Sequence, residues 1–347
     1  MSARARLGQI VAPVALVVVT GLVGALFARQ TEIYFISALI SVVIVVALHV
    51  FVGNSGVLSF GHASFVAVGA WAAGVLSVPV DEKAAIFPAL FPVLGEHTVG
   101  NVASLCVAAA VGGAYALVIG MPLMRLSGLA AGIATFAVLE ITHNVLRYWD
   151  RIGPGTNSFS SVPETTGIVQ AAAGAAIAIV VAFGYQTSRY GRQLRATRED
   201  AAAARAVGIP IVRQRLWAFA LSGALAGLGG GLLVHFLPIS TEDAYLNLTF
   251  ITLAMLVIGG VGSLWGAVVG ALAVSALDSF LAEAESGLEL GGRTLDVPSG
   301  SRLILVGLLM ALTLVLRPSG LTGGREFSAP RLTRPPEPPT AERGAAA

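Results

Sequence analysis

Few of the 347 residues have side chains that could do chemistry, and they are scattered. His49, Glu140, His143 and His235 lie inside long apolar stretches, with Asp278 near the end of another. An ionisable group at the centre of a bilayer costs roughly 3 kcal/mol on insertion scales, so each must face protein or water. Glu140 and His143 are three residues apart and share one face of a helix. That spacing suits a proton relay, and it also suits a structural hydrogen-bonded pair, which is the plainer reading. Ser55, within Gly53-Asn54-Ser55-Gly56, would be a nucleophile if His143 or His235 came from another helix to take its proton. No histidine and carboxylate grouping has metalloprotease spacing, and no glycine-rich loop ends in the lysine of a phosphate cradle. The chain is therefore expected to bind no cofactor or metal and to hydrolyse no nucleotide itself. Cys106 is the single cysteine, which excludes an intrachain disulfide, a thiolate cluster and a redox pair.

These residues must be positioned by elements that live in lipid. Hydrophobic residues make up 56% of the chain and charged residues 12%, a balance that a soluble domain of this length would not tolerate on its surface. Apolar windows fall near 8–28, 33–52, 61–80, 101–122, 126–146, 167–187, 216–237, 246–261, 264–281 and 302–316. The expected fold is an all-α polytopic membrane protein of about ten transmembrane or re-entrant helices. Arg4 and Arg6 precede the first window, which has no small-residue cleavage motif and is expected to stay as the first span.

Between the sixth and seventh windows lies a charged island, Ser188–Arg215, with seven arginines and two acids. Charge of this density stays in water. Arg192, Arg195 and Arg198 step by threes, and an alanine run then leads to Gly208-Ile209-Pro210, where a helix should stop. The pattern predicts a short amphipathic helix on the membrane surface, better suited to docking than to catalysis. Arg4, Arg6, Arg125, the island and the five arginines after Leu316 place fifteen basic residues on one side and leave six for the other. The positive-inside rule makes the first side cytoplasmic and puts both termini there. Basic residues confined to loops in this way, with a net charge of only +2, do not describe a nucleic-acid-binding protein. Loops 81–100 and 282–301 hold seven of the seventeen acids outside the island and are the expected surface for an extracytoplasmic partner. Residues 1–320 form the expected membrane domain, with the island at 188–215, and the proline-rich segment 321–347 a disordered cytoplasmic tail.

Glycines and polar residues interrupt the apolar sequence twice. Gly53-Asn54-Ser55-Gly56 and Leu58-Ser59-Phe60-Gly61-His62 form either a tight turn or a broken helix lining the path of a solute, with Asn54, Ser55, Ser59 and His62 supplying hydrogen bonds. Gly259-Gly260-Val261-Gly262-Ser263-Leu264-Trp265-Gly266 has the same character in the other half. Rows Gly223, Gly227, Gly231 and Gly262, Gly266, Gly270 have the four-residue spacing of close helix packing.

Gly191 to Ala196, Arg198-Glu199-Asp200, the four alanines and Gly208-Ile209 resemble the cytoplasmic coupling loop of ABC importer permeases. The resemblance widens through Leu58-Ser59-Phe60-Gly61-His62-Ala63-Ser64-Phe65 and Gly69-Ala70, then Arg125-Leu126-Ser127-Gly128, Thr135, Glu140-Ile141, Trp149-Asp150, Asn157 and Pro163. It continues through Ala218-Phe219, Ser222, Ala226-Gly227 and Gly259 to Gly266. In order and spacing these blocks are similar to the LivM-like branched-chain amino-acid ABC transporter permease family, over roughly residues 33 to 320. His49 stands where that family has asparagine, Ala201 and Arg205 where it often has acids, and Gly153 to Asn157 is a little altered.

The resemblance implies a permease subunit of an ABC importer in a bacterial or archaeal inner membrane. Its solutes would be branched-chain amino acids or related small polar molecules such as urea or short amides. Implied partners are a homologous second permease, two cytoplasmic ATPase subunits that use the ATP, and an extracytoplasmic solute-binding protein. Arg195, Arg198, Glu199, Asp200, Ala203, Ala204 and Gly208 would couple to the ATPases, and Asn54, Ser55, Ser59, Gly61, His62 and Glu140 would line the path. An ion-coupled secondary transporter is the alternative. More remote is an intramembrane serine protease, whose rhomboid-type Gly-x-Ser-Gly is superficially similar to Gly53 to Gly56. The orientation is tested with single cysteines in a Cys106→Ala background. Arg198→Cys and Ala341→Cys should be shielded from an impermeant thiol reagent outside intact cells, and Thr165→Cys should label. Labelling of the first two overturns the topology.

Overall fold

A computed structural model describes residues 3–285, 288–290, 293–295, 298 and 300–327. Helices α1 (Ala3–Gly24), α2 (Arg29–Ser55) and α3 (His62–Ser77) lead into the short α4 (Val80–Ile86) and α5 (Pro92–Gly95), followed by α6 (Asn101–Leu123), α7 (Gly128–Tyr148) and α8 (Ile168–Thr187). Next come α9 (Arg189–Glu199) and α10 (Ala201–Ala206), then α11 (Ile211–Val234), α12 (Leu246–Gly259) and α13 (Leu264–Glu285). An antiparallel hairpin, β1 (Leu288–Leu290) paired with β2 (Arg293–Leu295), leads to α14 (Ser301–Leu316). Apart from this hairpin and an isolated antiparallel bridge between Phe159 and Ile239, the regular structure of the described residues is helical.

Among the described residues, α2, α6, α7, α8, α11 and α13 are long and apolar enough to cross a membrane. The α3–α4 pair, bent by 119°, would make a seventh, and α1 from Gly8, α12 and α14 are shorter apolar helices. Each apolar window of the sequence is thus a helix. The α3–α4 bend falls at Val78-Pro79, where proline disfavours helical backbone in the residue before it. Beyond the bend, buried Lys83 donates to the carbonyls of Leu94 (2.9 Å) and His97, which ties α4 to the segment around α5.

The core is organised around α2. Its sequence is apolar on every face, and a helix of that kind must be surrounded. It packs against α1, α8, α9, α11, α12 and α13. Phe51 on α2 and Phe65 on α3 both meet the ring of Phe219 on α11 edge-on, at 4.9 and 5.0 Å.

Elsewhere the helices touch backbone to backbone. Lipid is as apolar as leucine, so helices associate there through van der Waals fit, and small residues let them approach. A Cβ on Gly227 would stand 2.3 Å from the Ala108 carbonyl oxygen, and one on Gly69 would stand 2.4 Å from Gly227 itself. These contacts lock α3, α6 and α11 together. At the α12–α13 crossing a Cβ on Gly259 would lie 2.0 Å from the Gly266 oxygen, and one on Gly270 would lie 2.1 Å from the Met255 oxygen. Gly262 does not belong to this packed row, since its nearest neighbour, the Gly324 oxygen, is 3.6 Å away. Gly227→Val should therefore destabilise the protein by about 1–3 kcal/mol or more through overpacking, while Gly262→Ala should stay within about 0.5 kcal/mol. Thermal unfolding followed by size-exclusion chromatography in detergent checks the pair, and equal behaviour of the two would refute the assignment.

Candidate coupling and translocation site

The charged island folds as two helices rather than the single one expected. Ser188 caps α9 by accepting from the Gly191 amide (3.2 Å). The helix runs so close to the end of α8 that a Cβ on Gly191 would lie 2.2 Å from the Tyr185 oxygen. Asp200 then breaks the run with extended backbone and caps α10, accepting from the amides of Ala202 (2.8 Å) and Ala203 (3.0 Å). These two bonds hold its carboxyl below the usual carboxylate range. Gly208, at φ +79°, ends α10: its amide donates to Arg205 and that of Ile209 to Ala204, a paired left-handed cap.

Burial divides the expected coupling residues. Glu199, Asp200, Ala203 and Gly208 are exposed, beside Val207, which is 77% exposed. Ala204 is buried, as is Leu194 on α9. Arg195 turns towards the bundle and donates to the Gln186 carbonyl. Burial lowers its pKa, Glu326 opposes the shift, and Arg192 and Arg198 add to it. Arg198 donates to the Gly53 carbonyl (2.7 Å), one of the last in α2, where a cation is favoured by the helix dipole. Arg195 and Arg198 thus link inward, while Arg198, like Glu199 and Asp200, also stays exposed.

The first glycine-rich interruption is a six-residue linker, 56–61, between two helices. α2 continues through Ser55 and ends on Gly56 at φ +71°, and an extended linker reaches α3 at His62. Asn54 donates to the Val50 carbonyl (3.0 Å) and Ser55 accepts from the Val57 amide (3.1 Å), so both side chains serve the local backbone. Thr135 on α7 accepts from the Phe60 amide (3.1 Å), and a Cβ on Gly61 would stand 2.4 Å from the Thr135 oxygen. Buried beside them, Ser59 Oγ and His62 Nε2 find no partner among the described residues. His62 Nδ1 lies 3.5 Å from Ser222 Oγ. At the same end His49, also on α2, donates through Nδ1 to the Val261 carbonyl (3.2 Å).

Glu140 does not join this group. It lies five residues beyond Thr135 on α7, about 7.5 Å along the axis, and accepts from the Tyr245 hydroxyl. His143 stacks on the Tyr245 ring at 3.9 Å and lies 3.7 Å from Glu242, which also pairs with Arg147. Glu140 and His143 therefore clasp α7 to the segment before α12 rather than relaying protons to one another. His235 is spent on structure as well: Nδ1 donates to the Pro163 carbonyl (3.1 Å), and Nε2 faces Ser104 (2.9 Å) and Ser77 (3.2 Å). It sits past α11, about 36 Å of helix away from the charged island. Neither His143 nor His235 meets Ser55, so the serine and histidine of a protease are not brought together.

Comparison with known proteins adds what geometry alone does not. The family model described as branched-chain amino acid transport system / permease component matches residues 30–314. The chain belongs to this family. The permease is 26% identical over 318 residues, 82% of its length and 68% of the relative's, to the high-affinity branched-chain amino acid transport system permease protein LivM of Escherichia coli. Over 40% of its length it is 32% identical to the probable branched-chain amino acid transport permease protein LivH of Methanocaldococcus jannaschii, covering 42% of that protein. Over a similar 40% it is 31% identical to the xylose transport system permease protein XylH of Haemophilus influenzae, covering 36% of it. No solved structure matches the permease.

One structural contact escapes a reading of the sequence. Residues 321–327, expected in a disordered tail, fold back over the α12–α13 turn; residues 328–347 lie outside the described residues. The Leu321 amide donates to the Ile258 carbonyl (2.8 Å), and the Thr322 hydroxyl to Gly259 (2.9 Å). Glu326 accepts from the first amides of α13, Leu264 (3.0 Å) and Trp265 (3.3 Å), and from Gln186 (3.4 Å). A helix start leaves unpaired amides, and this one recruits its acid from far along the chain. Glu326→Ala should destabilise the permease by about 0.5–2 kcal/mol, read as a lowered unfolding midpoint in detergent. An unchanged midpoint would show that the cap contributes nothing.

Proposed function

We propose that this permease is the membrane subunit of an ABC importer for branched-chain amino acids or related small polar solutes, including urea and short amides. It would work in the inner membrane of a bacterium or archaeon, beside a homologous permease. The reading rests on one observation above the rest: a pair of capped, outward-facing helices, α9 and α10, is joined through Arg198 to the last turn of the most enclosed helix, α2. Two partner ATPases would grip the exposed surface around Glu199, Asp200, Ala203 and Gly208. ATP binding and hydrolysis there would move α9 and α10 as a unit. Leu194 and Arg198 would carry the motion into α2, and the bundle would open alternately to either side.

In this reading the arginine-rich end, with both termini, faces the cytoplasm. Ser59, Gly61 and His62 are kept as path candidates, because a buried hydroxyl and imidazole nitrogen without partners fit a route that polar solutes occupy in passing. Asn54 and Ser55 flank that route, and Glu140 lies further along α7. The solute-binding protein would meet loops 81–100 and 282–301. The permease carries out no covalent step.

Reconstitution with the partner ATPases tests the coupling. Gly208→Val forces a β-branched residue into left-handed backbone, and Arg198→Glu sets a carboxylate against the Gly53 carbonyl. Both should insert normally yet lose substrate-stimulated ATP hydrolysis by roughly tenfold or more. Ion-gradient-driven uptake in vesicles holding this chain alone would refute the proposal in favour of a secondary transporter.

A further inference from the structure

A cavity of about 470 Å³ lies at the arginine-rich end, between the end of α2, its linker, the start of α7, α9 and the α12–α13 turn. Its size falls within the roughly 300–1,000 Å³ of small-molecule sites. Its lining is mainly polar, from Arg198, Arg215, Thr197 and Ser55, with a smaller apolar share from Val57, Leu58 and Val261.

The charge on the polar wall is unbalanced. Each guanidinium carries five N–H donors. Arg198 uses one on the Gly53 carbonyl (2.7 Å) and Arg215 one on the Leu126 carbonyl (3.1 Å). Neither pairs with a carboxylate among the described residues, and Arg215 Nε is buried without an acceptor. Gly128, the first residue of α7, lines the same cavity, and no side chain caps that helix. The positive end of its dipole adds to the two cations.

We infer that this cavity binds a small monocarboxylate. The two guanidinium groups take the carboxylate through charge-assisted hydrogen bonds, and the small apolar share of the lining leaves room for a short alkyl group only. No acid lines the cavity to receive an ammonium group, which favours a simple carboxylic acid anion over an amino acid. A bound carboxylate competes with the Gly53 carbonyl for Arg198, and so weakens the tie between α9 and α2. The site stands on this geometry alone and does not depend on which solute the permease carries.

Equilibrium dialysis of radiolabelled propanoate against the purified full-length chain in detergent tests it. Binding should saturate, and unlabelled propanoate should displace the label while the neutral propanamide should not. Arg215→Gln should weaken binding roughly 10- to 100-fold, the range for one charged hydrogen bond. Arg151→Gln, at the opposite end of the bundle, should leave it unchanged. Absence of saturable binding, displacement by the amide as readily as by the acid, or full affinity in a folded Arg215→Gln variant would each overturn the inference. The comparison of acid with amide uses the unaltered chain, so it decides the matter even if the variant does not fold.

Discussion

A helix enclosed on every side still has to end, and its last carbonyls then need donors that apolar neighbours cannot supply. In α2 that need falls at Val52, Gly53 and their neighbours, and it is met by the Gly56 amide and the guanidinium of Arg198. The linker to α3 and the seat of α9 are arranged around this exchange. A surface segment too charged to enter lipid is thereby bound to the helix most deeply enclosed by its neighbours.

Close backbone contact shapes the rest of the bundle. α3, α6 and α11 meet through Gly69, Gly112 and Gly227, and α12 meets α13 through Gly259, Gly266 and Gly270. Between these assemblies α2 makes contact with branched side chains instead, as where Ile44 lies against Gly229. Interfaces in which a single methyl group has no room tolerate little sliding, so each assembly is suited to move as a block.

Much of the fold was legible because hydrocarbon admits so few structures. A run of apolar residues long enough to cross must be a helix, and every such run is one. Gly208-Ile209-Pro210 marked the end of α10 correctly, since glycine past a helix is a local signal. The break at Asp200 was less visible: the residues around it all favour helix, and only its side chain capping Ala202 and Ala203 shows where one helix stops and another starts. Direction was the larger gap in the candidate site. Arg195 and Arg198 lie on a charged segment that reads as outward-facing, yet their long side chains reach back to carbonyls that no sequence pattern announces. Glu140 was grouped with the residues of the first interruption as lining the path, and only the packing of Thr135 on Gly61 shows how far along α7 it stands. Composition misled at residues 321–327, which were grouped with the proline-rich, polar sequence after them as a free tail although Glu326 has a fixed partner.

That last contact also has a bearing on how the protein is made. The carboxylate that closes the start of α13 is synthesised 62 residues after the amide it receives. When α12 and α13 leave the ribosome and enter the membrane, their turn is still open, with its first amides answered only by Ser263 and water. The α12–α13 turn therefore reaches its final form only after α14 has been made. A chain stalled or clipped before Glu326 would carry every helix of the described residues and still hold an unfinished turn at the start of α13.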